Sequence, residues 1–227
     1  MRRAGGIQHI PRPEVWRHGA PPPWAGLTAA PTAAQVAQAV AGRPPATNHV
    51  PSFPDARASA VIIALADGPQ GAEVLLTRRS MQLRSHRGEI SFPGGRVEPG
   101  ESFEAAALRE ADEEVALPAS RVEIVGYLDP LSTVVSRSFI VPVVGVVQQP
   151  PELHAHPGEV DRILWVPLID LARDDTYREE WWGSPPLDRP MFFFDLDDET
   201  VWGATARMLH QLLRVAHGLS APEPPAW

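Results

Sequence analysis

Carboxylates are concentrated in one short stretch, residues 92–117, which reads FPGGRVEPGESFEAAALREADEEVAL. The acidic residues of this acidic segment are Glu98, Glu101, Glu104, Glu110, Asp112, Glu113 and Glu114. Arg96 and Arg109 are the basic residues that offset them. Because like charges at this density repel one another, the segment either faces bulk water or surrounds a cation. Carboxylates without cysteine or clear histidine companions favour hard divalent ions, above all Mg²⁺.

Helical spacing gives the acidic segment two distinct faces. At about 100° per residue, Glu113 and Glu114 lie within about 60° of Glu110. The apolar residues on the opposite side are Leu108, Ala111 and Val115. The spacing therefore predicts a helix that packs on a sheet and points three carboxylates into a cleft. A solvated helix face is the alternative, and it is the commoner one for an arbitrary acidic helix.

Two adjacent glycines, Gly94 and Gly95, precede this helix and end an apolar strand. Glycine lets the backbone come close to a ligand or adopt a positive φ, although a simple turn would also use it. Glu101 is expected in the first turn of the helix, where a carboxylate suits the helix dipole and a capping role is the alternative to catalysis.

The acidic segment resembles the Nudix box, the signature of the Nudix hydrolase family. The residues that match its pattern are Gly95, Glu101, Arg109, Glu110, Ala111, Glu113, Glu114 and Leu117. The one departure is Ala116, which stands where the family usually has glycine. This change concerns the cap of the helix more than the metal site, and Pro118 still stops the helix.

The resemblance implies both a fold and a chemistry. The implied fold is α/β, a Nudix-type α/β/α sandwich with a mixed β-sheet. The implied enzyme is a pyrophosphatase that uses Mg²⁺ or Mn²⁺. Glu110 and Glu114 are the implied metal ligands. Glu113 is implied as a further ligand or a proton acceptor, and Gly95 as the donor of a carbonyl oxygen.

Further catalytic residues follow from the same resemblance. Arg109 is implied to orient the acidic cluster by pairing with Glu101. In some members of the family a carboxylate from a late loop serves as base or extra ligand, and Glu159 in HPGEVDRILWVPL is the candidate here. The alternative for Glu159 is an ordinary acid on a surface loop. The catalytic candidates are therefore Glu113, Arg109, Glu101 and Glu159.

Upstream of the box, residues 75–95 read LLTRRSMQLRSHRGEISFPGG and resemble the extended motif of the coenzyme A pyrophosphatase branch of the family. The matching residues are Thr77, Arg79, Ser80, Arg84, Gly88, Phe92, Pro93, Gly94 and Gly95. The later stretch VWGATARML resembles that branch as well. Arg79, Arg84, Phe92 and Gly94 are the implied substrate-binding residues, and a core position is the alternative for Phe92.

The same stretch is basic, although the protein as a whole carries a formal charge of -8. Its basic side chains are those of Arg78, Arg79, Arg84, His86 and Arg87. Arginine binds phosphate oxygens through bidentate, charge-assisted hydrogen bonds, and coenzyme A carries a diphosphate and a 3′-phosphate. A solvated arginine-rich loop is the alternative. His86 either contacts phosphate or caps a turn.

The resemblance thus implies hydrolysis of the diphosphate bond of coenzyme A or acyl-coenzyme A. The products would be 4′-phosphopantetheine, or its acyl form, and adenosine 3′,5′-bisphosphate. Two alternatives stay open. A pyrophosphatase for ADP-ribose or another nucleoside diphosphate derivative would share the box without needing the basic motif, and a nucleotide sensor would keep the fold without catalysis.

Composition excludes several other classes of function. The net negative charge argues against nucleic acid as a partner, because duplex affinity depends on Lys and Arg that neutralise phosphates. No apolar run approaches the roughly 18–20 residues that span a bilayer, and the N-terminal residues lack the apolar region of a secretory signal. Since the sequence contains no cysteine, it fits a reducing cytoplasm. Apolar arms outside the box are compatible with a homodimer.

Three regions are expected along the chain. Residues 1–56 form a Pro-rich N-terminal arm with one short helix that Thr32 caps and Gly42 ends. Residues 57–218 form the Nudix hydrolase domain, and residues 219–227 form an irregular tail.

Within the domain, a hairpin is expected around DGPQG, and MFFFDLD and ILWVPL are expected as strands. Pro142 predicts that its strand is bent or lies at a sheet edge. Residues from Val201 to Ala216 predict an amphipathic helix that Asp197 or Asp198 caps.

Overall fold

The computed structural model describes residues 4–27, 30–43, 51–133 and 137–219. In chain order the elements are β1 (Trp16–His18), α1 (Ala33–Ala41), β2 (Arg57–Gly68), β3 (Gly71–Arg79), β4 (Ile90–Ser91), β5 (Gly94–Arg96), α2 (Phe103–Val115), a 3₁₀ turn (Ala119–Arg121), β6 (Val122–Tyr127), β7 (Leu131–Ser132), β8 (Ser138–Val147), β9 (Val160–Pro167), α3 (Leu168–Leu171), β10 (Tyr177–Trp182), β11 (Arg189–Asp195), β12 (Thr200–Trp202) and α4 (Gly203–Ala216).

A mixed sheet forms the centre of the fold. Its strand β2 runs antiparallel to β3 on one side and parallel to β8 on the other. Among the described residues this sheet has eight strands, in the order β4-β3-β2-β8-β6, with β5, β7 and β9 paired to β2, β8 and β3. The expected hairpin is confirmed, since Gly68 of β2 pairs with Gly71 of β3.

Alternate residues of β2 fill the two hydrophobic clusters on either side of this sheet. Ile62 and Ala64 belong to the cluster that includes the apolar residues of α2. Ile63 and Leu65 belong to the other cluster, which includes residues of α1 and α4. Since a strand directs successive side chains to opposite faces, one buried strand holds helices on both sides of the sheet. The predicted α/β/α sandwich with a mixed sheet is therefore confirmed.

The strand that contains Pro142 lies inside the sheet, between β2 and β6, so of the two predicted alternatives, a bend or an edge position, the edge position is wrong. The carbonyl of Pro142 accepts a hydrogen bond from the N–H of Leu128 at 3.0 Å. The two backbone groups of a strand residue point to the same side, so the proline nitrogen faces the connection between β6 and β7. The hydrogen bonds of β8 with β2 and with β6 therefore do not need an N–H from residue 142, and the sheet tolerates proline at this position.

A second, antiparallel sheet contains the strands β1, β10, β11 and β12 among the described residues. Only β11 was expected from the sequence. Val201 and Trp202 lie in β12 instead of the C-terminal helix, which begins at Gly203 without a side-chain cap. Capping by Asp197 or Asp198 is therefore wrong, because both residues precede β12. The predicted amphipathic helix itself is confirmed, and its buried residues include Leu209.

The described part of the N-terminal segment packs on the same core. Thr32 caps α1 through a reciprocal capping box with Gln35, and Gly42 is the C-cap residue, so the predicted short helix is confirmed. Trp24 is 1% exposed, and its Nε1 donates to the carbonyl of Ala172 at 3.0 Å. The limits of the three regions stay a prediction, and residues 220–227 lie outside the described residues.

An aromatic cluster joins this N-terminal segment to α4. The ring of His210 stacks on Phe192 with 4.1 Å between centroids and 2° between planes, and Trp24 and Tyr177 also adjoin it. Burial is the main cause that lowers the pKa of His210 to about 3, and positive charges on Arg214 and Arg207 lower it further. His210 is thus held neutral among aromatic rings.

We predict that His210→Phe makes the protein more resistant to acid. The pKa of histidine is 6.5 when exposed and about 3 in this fold. Between these values the unfolded chain binds one more proton, so the free energy of unfolding falls as the pH drops below 6.5. Phenylalanine keeps the stacking and binds no proton, and at pH 5 it should remove about 2 kcal/mol of this loss.

Urea unfolding of both proteins at pH 7.5 and pH 5 measures this effect. The pair at pH 7.5 serves as the reference, because His210 is neutral there in both states. Equal losses of stability in parent and variant on going to pH 5 would contradict the prediction.

Candidate functional site

The helix α2 carries the acidic segment onto the central sheet. Ser102 caps its N-terminus, and the Ser102 Oγ accepts from the N–H of Ala105 at 3.2 Å. Ala111 and Val115 are fully buried against the sheet, so the helix and its apolar face are as predicted. Glu101 lies just before the cap instead of in the first turn, which corrects its expected position.

Glu114 is a buried carboxylate on the sheet side of this helix. It is 4% exposed, its Oε2 accepts from the N–H of Gly94 at 3.3 Å, and its Oε1 lies 3.9 Å from Nη1 of Arg79. Burial raises the pKa of Glu114 to about 7 against the opposing effects of Arg79 and Gly94, and Glu110 and Glu159 raise it further. A buried carboxylate with so few donors favours a bound proton or a nearby cation.

Glu110 rests directly on the backbone of Gly95. A Cβ at position 95 would lie 2.4 Å from Cδ of Glu110 and 2.5 Å from each of its oxygens. Burial raises the pKa of Glu110, whereas the hydrogen bond from Arg109 Nη1 at 3.0 Å lowers it. Only glycine at position 95 leaves room for this carboxylate beside the strand.

Arg109 is the hub of the ion pairs around the cluster. Its Nε donates to Oε1 of Glu101 at 3.0 Å, so the pair that the resemblance implied is present in the structure. Its Nη1 contacts Glu110 at 3.0 Å and Glu113 at 3.1 Å. The guanidinium also donates to the carbonyl of Arg96 at 3.0 Å. Arg109 therefore ties the loop before α2 to the carboxylates on the helix.

Glu159 comes to the cluster from the loop before β9. Its negative charge raises the pKa of both Glu110 and Glu114, although it is the smallest of the causes that act on each. Its carbonyl accepts from the N–H of Ser80 at 2.8 Å. Glu113 is exposed at the margin of the same group. We call Glu110, Glu113, Glu114 and Glu159 the carboxylate cluster.

The donor set of the carboxylate cluster fits a hard divalent ion. Its groups are carboxylate oxygens, one of them deeply buried, and a glycine backbone lies against Glu110. In the described part of the chain, no group of three or more acidic or histidine side chains is close enough together to hold a metal ion as it stands. Glu110 lies against Gly95, and Glu110 and Glu113 both accept from Arg109. Coordination of an ion by Glu110, Glu114, Glu113 and Gly95 stays a prediction.

The basic loop, residues 80–89, connects β3 to β4 beside this cluster. Adjacent strand residues point in opposite directions, so Arg79 faces Glu114 while Arg78 Nη1 binds Glu199 at 3.1 Å on the other side. Arg84 is exposed in the loop. His86 has a φ of 54° and its Nδ1 lies 2.9 Å from Oε2 of Glu89, which matches a turn cap.

Phe92 and Gly94 occupy structural positions next to the site. Phe92 is 2% exposed in the hydrophobic cluster that contains α4, on the face of the sheet away from α2, which matches a core position. Gly94 has a φ of 152°, and a Cβ there would lie 2.3 Å from the carbonyl oxygen of Ala60. Its N–H already donates to Glu114. Contact of either residue with substrate stays a prediction.

The comparisons with known proteins agree with this geometry. The NUDIX domain family matches residues 56–185, which include the basic loop, α2 and Glu159. The chain belongs to the Nudix hydrolase family. The predicted enzyme class, a Nudix hydrolase, is thereby confirmed.

Two relatives support the same family, and one solved structure is similar at low identity. The chain is 37% identical to the Uncharacterized Nudix hydrolase NudL of Photorhabdus laumondii over 158 residues, which cover 69% of this chain and 83% of that protein. NudL of Escherichia fergusonii is 38% identical over 166 residues, covering 69% and 81%. The solved MutT/nudix family protein from Enterococcus faecalis is 17% identical with a TM-score of 0.47, and the alignment covers 75% of this chain and 66% of that one.

The end of the Nudix helix is capped although glycine is absent. Ala116 adopts a φ of 56° and a ψ of 40°, the left-handed conformation. Its N–H donates to the carbonyl of Asp112 at 2.9 Å, and the N–H of Leu117 donates to that of Ala111 at 3.3 Å. The bond from Ala116 to Asp112 is the one that defines an αL cap, so the departure from the family pattern leaves the cap intact and places the strain on one residue.

We predict that Ala116→Gly stabilises the protein by about 0.5–1 kcal/mol, because glycine adopts the left-handed conformation without a Cβ clash. Chemical denaturation measures the change. Ala105→Gly is the matched control, since Ala105 is exposed inside the same helix. Glycine there should destabilise the protein by a similar amount. A loss of stability in both variants would contradict the prediction.

Sequence reasoning missed a buried acid, Glu199, on the other side of β3. It is 1% exposed, and its carboxylate accepts from Arg78 at 3.1 Å and from Arg162 at 3.3 Å. The available signal was the acidic run 197–199, which can pair with a basic strand.

No helix among the described residues combines the length and apolar character that a bilayer crossing requires.

Proposed function

We propose that this Nudix hydrolase cleaves the diphosphate bond of coenzyme A or acyl-coenzyme A. The observation that carries the proposal is the position of Arg79, whose Nη1 lies 3.9 Å from Oε1 of Glu114. Arg79 belongs to the motif that resembles the coenzyme A pyrophosphatase branch. The hydrogen bond from Ser80 N–H to the Glu159 carbonyl also holds this loop against the cluster.

We propose Mg²⁺ or Mn²⁺ as the ion, with Glu110 and Glu114 as its main ligands. Glu113 and the carbonyl of Gly95 are the further candidates. When bound, such an ion offsets phosphate charge and lowers the pKa of a coordinated water. The buried position of Glu114 favours this role, because an ionised carboxylate at 4% exposure requires a cationic partner.

The remaining residues position the reactants and accept a proton. Arg109, braced by Glu101, fixes the orientation of Glu110 through its 3.0 Å hydrogen bond. Glu159 and Glu113 are the two candidates to take the proton of the attacking water, and the charge of Glu159 acts on both main ligands. Arg79 would hold the diphosphate, and the exposed Arg84 would bind the 3′-phosphate through its fork of donors.

Purified protein with Mg²⁺ or Mn²⁺ should be assayed against coenzyme A, acyl-coenzyme A, dephospho-coenzyme A, ADP-ribose and dinucleotides. Coenzyme A should be cleaved with the highest kcat/KM, and loss of the 3′-phosphate should reduce this value by about tenfold. A higher kcat/KM for ADP-ribose would replace coenzyme A by the alternative substrate. Binding without turnover of any compound would indicate a nucleotide sensor.

We predict that Arg79→Ala lowers kcat/KM for coenzyme A by about 10²-fold, because it removes the guanidinium nearest the cluster. Steady-state kinetics measure the loss. Arg121→Ala removes an exposed arginine from the turn after α2 and is the charge control, with unchanged kinetics expected. An Arg79 variant that retains full activity on its best substrate would contradict the assignment of the basic motif.

Three further sequence predictions accompany this proposal. They are a cytoplasmic location, a homodimer, and a hydrolase domain at residues 57–218 with an arm at 1–56 and a tail at 219–227. The proposed partner is a small nucleotide, without nucleic acid or membrane. Light scattering of the purified protein tests the dimer, and limited proteolysis tests the domain limits.

A further inference from the structure

A glutamine in the N-terminal segment is hydrogen-bonded to the basic loop. Nε2 of Gln8 donates to the carbonyl of Gly88 at 3.2 Å and to Oε2 of Glu199. Oε1 of Gln8 accepts from the N–H of Thr200 at 3.0 Å. Gln8 therefore joins two segments that are distant in sequence, the basic loop and the start of β12.

The partners of Gln8 determine both its orientation and its residue type. A reversed amide would place Oε1 against the carbonyl of Gly88 and the carboxylate of Glu199, and would place the NH₂ group against an N–H. Glutamine alone combines an acceptor with an NH₂ donor at this side-chain length. A shorter or singly functional side chain could make only part of this set.

The backbone before Gln8 is fastened to the turn between β11 and β12. The N–H of Gly5 donates to the carbonyl of Leu196 at 2.9 Å, and the N–H of Gly6 donates to Oγ1 of Thr200 at 3.0 Å. A Cβ on Gly6 would lie 2.0 Å from Oε1 of Gln8. Glycine at position 6 thus lets the amide fold back across its own backbone, and residues 5–8 are anchored to the turn between β11 and β12.

Gly88 connects Gln8 to the carboxylate cluster. The N–H of Gly88 donates to the carbonyl of Arg79 at 3.0 Å, and the N–H of Arg79 donates to the carbonyl of Glu89 at 2.9 Å. These bonds close the base of the basic loop around Arg79. The guanidinium of Arg79 then lies 3.9 Å from Glu114. One residue, Gly88, therefore lies between Gln8 and the arginine proposed to bind the diphosphate.

We infer that Gln8 is a positioning residue, which holds the basic loop so that Arg79 stays at the carboxylate cluster. The inference rests on the proposed function, because it takes the loop as the binding site for an anionic substrate. It makes residues 5–8 part of the working enzyme, although they precede the matched domain at 56–185. Since Gln8 acts through Gly88 and Arg79, its loss weakens substrate binding more than the chemical step.

The first test measures the loop itself in the ligand-free protein. Hydrogen exchange is followed in peptides that cover residues 78–90, in Gln8→Ala and in Gln8→Met, which keeps the side-chain length. Exchange should become about tenfold faster in both variants, because an anchor of the loop is lost. Ile7→Ala is the matched control, since Ile7 is fully exposed next to Gln8. Unchanged exchange in the Gln8 variants would overturn the inference.

The second test separates positioning from a general loss of structure. On the substrate that the parent cleaves best, both Gln8 variants should raise KM about five- to tenfold with kcat within about twofold of the parent. A fall in kcat at unchanged KM, or the same change in Ile7→Ala, would overturn the positioning role. Failure of the proposed function would give a different result. The parent protein would then not cleave coenzyme A, while hydrogen exchange in the basic loop would still be faster in the Gln8 variants.

Discussion

Glu114→Gln should lower kcat by about 10³-fold on whichever diphosphate the enzyme cleaves best. The variant preserves the size of the side chain, and its amide oxygen can still accept from the N–H of Gly94. It removes the negative charge that a divalent ion requires at the most buried position of the carboxylate cluster. The loss should therefore appear in kcat and in Mn²⁺ affinity, while the fold is retained.

The same substitution should stabilise the metal-free protein. The pKa of Glu114 is raised from 4.5 to about 7 by burial, so the folded protein binds the extra proton between these values. The favourable contribution of protonated Glu114 is complete below pH 4.5 and is lost as the pH rises through 7. At pH 8 with a chelator, Glu114→Gln should be more stable than the parent by about 2–3 kcal/mol.

Activity assays and thermal unfolding with EDTA measure the two effects separately. Asp112→Asn is the matched control, because Asp112 is an exposed acid on the same helix. That variant should keep its kcat and show no gain in stability at pH 8. Undiminished turnover by Glu114→Gln would remove Glu114 from the metal site, and a less stable variant at pH 8 would contradict the argument from burial.

The sequence predicts the helix α2 well because the relevant information is local. A repeat of 3.6 residues determines that Glu110 and Glu114 share one face while Ala111 and Val115 share another. The structure has this arrangement, with Val115 fully buried and Glu110 beside Gly95. The first residue of a helix is less certain from sequence, because several neighbouring residues can act as the cap. Glu101 is therefore expected in the first turn, whereas it lies just before the cap residue Ser102.

Features that depend on distant partners could not be predicted in the same way. Arg78 and Arg79 are neighbours with the same chemistry, and only the strand geometry of β3 sends them to opposite faces. Arg78 binds Glu199, which is 121 residues away. The second sheet is a similar case, since the short strand at Trp16 becomes recognisable only when it pairs with Trp182. Composition supplies no register for such pairs.

Gly95→Ala is expected to lower kcat by about 10²-fold without unfolding the protein. The backbone of Gly95 has no positive φ that would exclude alanine, and it pairs regularly with Ala60 in the sheet. The added methyl group would lie 2.4 Å from Cδ of Glu110 and must displace that carboxylate. The damage should therefore fall on metal binding, as weaker Mn²⁺ affinity with nearly parental thermal stability.

A second substitution tests whether the contact with Glu110 is the cause. In Gly95→Ala with Glu110→Asp, the shorter side chain leaves space for the methyl group, so the double variant should bind Mn²⁺ better than the product of the two single effects predicts. Gly158→Ala is the control, because a Cβ there meets only ordinary contacts beyond 3.4 Å. Strictly additive losses would show that Gly95 serves the site through its backbone alone, independently of the Glu110 carboxylate.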